Sequence, residues 1–92
     1  MIPGAASAAR GIVAWVGPGC DYFVAETPMG YAVLEWYGGA RPRKGDLVVG
    51  AFEKFGFTDI YYARRDTQTH VRVDDYSLSA DSAAERVADH CR

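Results

Sequence analysis

The densest group of side chains able to bind a ligand lies in residues 54–65. Four aromatic residues are interspersed there with three basic ones, in the sequence KFGFTDIYYARR. Aromatic rings stack on nucleic-acid bases and cations contact phosphates, so this pattern is typical of a groove for single strands. The strand period of two, however, places Phe57 and Tyr61 on one face and Ile60 and Tyr62 on the other. We therefore expect half of these rings to be core, and interpret the segment chiefly as framework.

Aromatic residues further upstream are the second group of candidates. In the run Tyr31–Tyr37, Leu34 and Trp36 share one face and Val33 lies on the other, so some aromatic rings remain at the surface. Exposed aromatic clusters on a sheet usually mark a binding surface. A loop with three basic residues follows the run. We predict ligand contacts at seven positions: Trp15, Tyr22, Trp36, Tyr37, Arg41, Arg43 and Lys44.

Other chemistry finds little support in the sequence. The soft metal ligands Cys20, His70, His90 and Cys91 lack the C-x-x-C or H-x-x-x-H spacing of a zinc site. A nucleophilic Cys20 with His70 as its base has no recognisable third member. No glycine-rich loop precedes a helix, which disfavours a phosphate cradle. We expect no catalytic residues, no bound metal and no cofactor.

Composition indicates one small folded domain. The 92 residues are 49% hydrophobic and 24% charged, with a net charge of −2, which disfavours a non-specific binder of duplex DNA. No apolar run approaches the roughly 20 residues of a membrane-spanning helix. Disulfide-stapled secreted domains usually carry more than two cysteines, so we expect Cys20 and Cys91 to be reduced thiols and the protein to be cytoplasmic.

Six β-rich runs separated by turn residues indicate an all-β domain. The sixth run alternates, with Val71 and Val73 on one side and His70 and Arg72 on the other, so one of its faces is buried. The second and third runs flank Thr27-Pro28-Met29-Gly30 and form a hairpin. The predicted strands are residues 11–16, 21–26, 31–37, 47–52, 57–64 and 69–76.

The C-terminal segment has a helical composition. Ser82 and Glu85 fit a capping box, and Ser79 is an equally good cap one turn earlier. We divide the chain into a flexible arm (1–9), a barrel domain (10–78) and a short helix (79–92). Six short strands expose less apolar surface when they curl into a barrel. The predicted fold is therefore a five- to six-stranded antiparallel barrel, OB-like or alternatively SH3-like.

Residues 11–65 resemble the cold-shock domain. Gly11-Ile12-Val13-Ala14-Trp15 is similar to the family's G-x-V-x-W opening strand, and Tyr22 falls at the first aromatic position of its second strand. The run Val33–Tyr37 falls on the family's V-F-V-H-F motif, and Gly45–Val48 on the start of its fourth strand. The K-G-F-G-F signature is absent, and residues 66–92 have no counterpart.

This resemblance implies an OB-fold barrel that stacks bases on Trp15, Tyr22, Trp36 and Tyr37. The expected function is a non-enzymatic binding module for single-stranded RNA or DNA. The alternative is a protein-interaction or homodimerisation module without a nucleic-acid role, which uses the aromatic sheet face or the run 69–76 as an exposed edge.

Overall fold

The structure, a computed structural model, describes residues 9–91. Six β-strands precede one α-helix. Their bounds are β1 (Ala9–Val16), β2 (Tyr22–Thr27), β3 (Gly30–Gly39), β4 (Leu47–Gly50), β5 (Gly56–Tyr62), β6 (Thr67–Leu78) and α1 (Ala80–His90). Of the predicted arm, residues 1–8 lie outside the described part, and Ala9 is the first residue of β1.

The strands form a closed antiparallel barrel, as expected from the sequence. Their order around the barrel is β1-β2-β3-β6-β5-β4. Two three-stranded meanders, β1–β3 and β4–β6, join through the pairs β1–β4 and β3–β6. The predicted hairpin of β2 and β3 turns at Pro28 and Met29, and Gly30 directly after the turn has a φ of 119°, which favours glycine. Because β6 pairs with both β3 and β5, the idea that residues 69–76 form an exposed edge is wrong.

Strand alternation fills the barrel with one apolar core. Thr69 is the polar exception, and its hydroxyl donates to the Gly38 carbonyl at 2.8 Å, which satisfies the buried oxygen. The core consists of Val13, Phe23, Ala25, Ala32, Leu34, Val48, Phe52, Ile60, Tyr62, Val71 and Val73.

A second apolar cluster lies outside the barrel, beneath α1. Val24 and Val33 point outward from β2 and β3 and are covered by Ala83 and Val87 of the helix. The helix begins where the Ser79 hydroxyl accepts a hydrogen bond from the Ser82 amide, so the earlier of the two predicted caps is used. Strand β3 is thus buried on both faces near its middle.

A disulfide fixes the far end of the helix. Cys20, in the β1–β2 loop, is bonded to Cys91, with a Cα–Cα distance of 5.6 Å. The prediction of two reduced thiols is therefore wrong: α1 runs back across β2 and brings residues 71 positions apart into contact. Disulfides persist mainly in oxidising compartments, so the cytoplasmic location stays a prediction and loses the support of free thiols.

Two kinds of feature are missing from residues 9–91. Within this described part of the chain, no helix is long and apolar enough to cross a membrane. Nor does any group of three or more His, Cys, Asp or Glu side chains in the same residues have the arrangement of a metal site.

Candidate ligand-binding surface

Three rings lie together on the outer face of β3, β6 and β5, and we call them the aromatic patch: Tyr37, Phe57 and His70. The rings of Tyr37 and Phe57 meet edge to face with centroids 4.8 Å apart. Phe57 and His70 lie parallel at 5.7 Å. Tyr37 is 50% exposed and Phe57 58% exposed, so each presents a large ring surface to water.

The alternation of β5 decides which of its rings reach this surface. Ile60 and Tyr62 are buried in the barrel, whereas Phe57 and Tyr61 point outward. The Tyr62 hydroxyl donates to the Ala40 carbonyl at 2.9 Å, and burial is the main cause that raises its pKa. The predicted alternation of β5 is therefore confirmed. The expectation that half of the four rings are core is wrong, because only Tyr62 is buried and Phe55, which precedes the strand, is exposed as well.

One anionic side chain lies beside the aromatic patch. Asp59 lies opposite His70 in the β5–β6 register, and its carboxylate is 2.8 Å from His70 Nδ1. Both side chains are at least half exposed, so solvent screens this pair. The pairing holds the imidazole in position beside Phe57.

Basic residues cluster at the barrel end where β3 and β5 terminate. We call this the basic end: Arg41, Arg43 and Lys44 of the β3–β4 loop, and Arg64 of the β5–β6 turn. Arg65 ties these two segments together, because its Nη2 donates to the Arg41 carbonyl at 2.6 Å and to Asp46 at 2.8 Å. The predicted contact residues of this loop are thus held next to a further cation from the neighbouring turn.

Trp36 faces the barrel interior, against the core. Its indole nitrogen is buried and has no hydrogen-bond partner among the described residues. The Arg41 guanidinium lies over its ring at 4.0 Å, and the same side chain reaches Asp21 at 3.4 Å. One face of the Trp36 ring is therefore already covered by a cation.

Tyr22 lies beneath the C-terminal part of α1, away from the patch. Its ring stacks on His90 at 4.2 Å, nearly parallel. Its hydroxyl donates to Glu35 at 3.2 Å and accepts from Arg72 at 3.1 Å. Burial, followed by the charge of Glu35, raises the pKa of Tyr22. Both the ring and the hydroxyl of this predicted contact are thus engaged within the protein.

Arg72 stands between the aromatic patch and the helix. Nη2 of its guanidinium is 3.0 Å from Glu35 and 3.4 Å from Asp74. Burial acts to lower the pKa of Arg72, but the hydrogen bonds to Glu35 and Tyr22 outweigh it and raise the pKa. This permanent cation is balanced by carboxylates and does not add to the basic end.

Trp15 belongs to a different surface. A bulge between Val13 and Trp15 puts Trp15 opposite Val24, on the outer face of the barrel beside α1. There it helps to line an apolar cleft of about 410 Å³ between the helix and the barrel. The cleft is lined by Ala14, Trp15, Val24, Tyr31, Ala80, Ala83, Ala84, Val87, Ala88 and Cys91.

The predicted contact residues thus fall into separate groups. Tyr37 belongs to the aromatic patch, and the basic end lies a few residues further along the same strand and loop. Trp15 and Tyr22 lie beside the helix instead. Sequence reasoning missed two members of the patch, Phe57 and His70. It interpreted the segment of Phe57 chiefly as framework, and the only signal for His70 was its predicted outward position on β6. It also missed the cleft, because nothing in the sequence shows where α1 docks.

Comparisons with known proteins give no relative. No family model, no curated protein and no solved structure matches the chain.

Proposed function

We propose that this protein is a non-enzymatic binding module with an OB-like barrel, which holds single-stranded RNA or DNA on its aromatic patch. The observation that carries the proposal is the exposed, mutually contacting pair of Tyr37 and Phe57 on a sheet face that no other described element covers. Stacking on such rings tolerates any base, because every base has a π-face.

The basic end supplies the second requirement of such a site. Arg41 follows Tyr37 by four residues, and Arg43, Lys44 and Arg64 lie at the same end of the barrel. A nucleic-acid strand whose bases stack on the patch has its phosphates directed along these cations. Each phosphate contact releases counterions, so affinity falls as salt rises.

The test is fluorescence anisotropy of a labelled single-stranded oligonucleotide at low and moderate salt. Each stacked base contributes about 1–3 kcal/mol, so Phe57→Ala weakens binding about 5- to 150-fold. Replacing Arg43 and Lys44 by Ala reduces the slope of log K against log salt by about 0.7 for each phosphate that the protein no longer neutralises.

Phe55→Ala is the matched control. Phe55 is 63% exposed and contacts Tyr76 rather than the aromatic patch. The Phe55→Ala substitution therefore removes an equally exposed ring of the same type without affecting stacking at Tyr37. Equal losses for Phe55→Ala and Phe57→Ala, or no binding by the wild type at low salt, would refute the proposed site.

The alternative is homodimerisation through the same patch, and the charge pair within it favours this. Asp59 is acidic and repels phosphate, but in a two-fold interface it can meet His70 of a second copy. Sedimentation velocity distinguishes the two functions. A mass that rises with concentration, is lowered by Phe57→Ala and is unaffected by oligonucleotide supports the dimer.

A further inference from the structure

We propose that the cleft between α1 and the barrel is a binding site for a small amphiphilic cation, a single alkyl chain with an ammonium head. This site is distinct from the aromatic patch and does not depend on the function proposed for it. The proposal rests on the shape of the cleft, the chemistry of its walls and the charge along its rim.

The walls of the cleft are apolar and suited to an alkyl chain. One wall is the helix edge formed by Ala80, Ala84 and Ala88, and the other is the outer side of the barrel with Ala14 and Val24. A volume of about 410 Å³ falls within the range of small-molecule sites. Three alanines one turn apart leave a trough that larger side chains would fill.

The helix wall is held in place before any ligand arrives. Val87 and Ala83 are buried against Val24 and Val33, and the disulfide of Cys91 fixes the end of the helix. A preformed site spends little binding energy on ordering its own walls. The cleft therefore does not require a conformational change to open.

Both sides of the mouth favour a positive head group. Trp15, 36% exposed, presents its indole ring on the barrel side, and ring faces attract ammonium groups. On the helix side, Asp81 and Glu85 directly follow Ala80 and Ala84 and are exposed. Neither carboxylate makes an ion pair with another described residue.

The same charges argue against other occupants. Two copies packed through this face would bring their Asp81 and Glu85 rows together, and like charges in contact repel. A fatty acid would place its carboxylate beside these residues and meet the same repulsion. A cationic amphiphile satisfies the apolar trough and the acidic rim together.

Isothermal titration calorimetry on the oxidised protein tests the head group with three probes of equal chain length: octyltrimethylammonium, 1-octanol and octanoate, each below its aggregation concentration. We expect one site per chain, with the cation binding at least tenfold more tightly than octanoate. Binding beside Trp15 should also change the indole fluorescence emission of the protein. The Trp15→Phe variant should remove this change.

Two substitutions fill the trough, and one tests the rim. Ala84→Phe and Ala88→Leu occupy the space of the alkyl chain at exposed helix positions, so the helix persists and binding falls more than tenfold. Glu85→Gln lowers the affinity for octyltrimethylammonium about two- to fivefold and leaves that for 1-octanol unchanged. Ala63→Phe, at an exposed turn position away from the cleft, is the matched control.

Three results would overturn the proposal. The first is no saturable binding of octyltrimethylammonium. The second is binding of octanoate as tight as that of the cation, which would remove the role of the acidic rim. The third is unchanged affinity in both Ala84→Phe and Ala88→Leu, which would place the ligand elsewhere.

Discussion

Two parts of the barrel's outer surface have opposite compositions. The helix-covered face, formed by Val24 and Val33 with Ala83 and Val87 of α1, consists of aliphatic side chains buried from water. The aromatic patch of Tyr37, Phe57 and His70 consists of large rings that contact one another and remain exposed. Both lie on the same closed sheet, and β3 contributes to each.

The difference separates stabilisation from recognition. Aliphatic side chains beneath a helix contribute by leaving water, and the disulfide and the Arg86–Asp75 ion pair fasten that cover. Exposed rings contribute little to folding, yet an apolar cluster left in water is the usual mark of a contact surface. Substitutions on the two faces should therefore affect different measurements.

Removing the disulfide should have the largest effect. Replacing Cys20 and Cys91 by Ala releases a link between residues 71 positions apart, and we expect the free energy of unfolding to fall by about 2–4 kcal/mol. Urea unfolding measures this loss, and hydrogen exchange should show the amides of α1 opening first. The wild type in reductant serves as the control and should show the same loss.

If the helix-covered face and the aromatic patch act independently, loss of the disulfide should not affect ligand binding at the patch. Oligonucleotide affinity measured where the double variant is fully folded should match the wild type. If the two cysteine substitutions weakened oligonucleotide binding as much as Phe57→Ala does, the two faces would not be independent.

A matched pair of truncations gives the next largest effect. Val33 is fully buried under the helix, and Val33→Ala should lower the free energy of unfolding by about 2 kcal/mol through reduced burial and a residual cavity. Phe57→Ala removes a larger side chain but should cost at most about 1 kcal/mol, since its ring is mostly in water. Urea midpoints at constant m-value compare them, and a reversed order would mean that the patch is structural.

Arg72 tests the boundary between the two faces. Arg72→Gln removes the ion pair with Glu35 and the hydrogen bond to Tyr22, leaving a half-buried carboxylate without its cation. Because the side chain is 30% exposed, solvent screening limits the expected loss to about 1 kcal/mol. Arg43→Gln, at an exposed loop position, should change the free energy of unfolding by less than about 0.5 kcal/mol.

The barrel could be predicted from the sequence, because strand alternation and turn residues are local signals. Val71 and Val73 marked the buried face of β6, and Thr27 to Gly30 marked the hairpin. The placement of the aromatic rings could not be predicted as well. Trp15 is turned outward by a bulge in β1, an irregularity that depends on the pairing with β2.

The role of the helix could not be predicted from local sequence signals. Where α1 docks decides that Val33 is buried, that Tyr22 is covered and that Cys20 meets Cys91. Only Val87 is a large buried side chain on the helix, so its docking is determined by contacts from distant parts of the chain. The contrast between the covered face and the aromatic patch is therefore a property of the tertiary structure.

The smallest expected effect is in the alkaline titration of two tyrosines. Burial is the main cause that raises the pKa of Tyr22. For Tyr61, which lies outside the helix-covered face, the main cause of its raised pKa is its hydrogen bond to Asp66. Each phenol stays protonated in the folded state where the unfolded chain, with a pKa near 10, already ionises. Their contribution to stability is thus complete below pH 10 and is lost as pH rises through the folded-state pKa.

Asp66→Asn separates the two causes. Asn tolerates the positive φ of 50° at this position, so the turn persists while the carboxylate is removed. We expect the pKa of Tyr61 to fall towards its usual value and that of Tyr22 to stay unchanged, measured by tyrosine absorbance with Tyr22→Phe and Tyr61→Phe as assignments. Glu35→Gln should lower the pKa of Tyr22 only in part, because burial remains. A full return of Tyr22 to its usual pKa in Glu35→Gln would mean that the helix does not shield this ring from water.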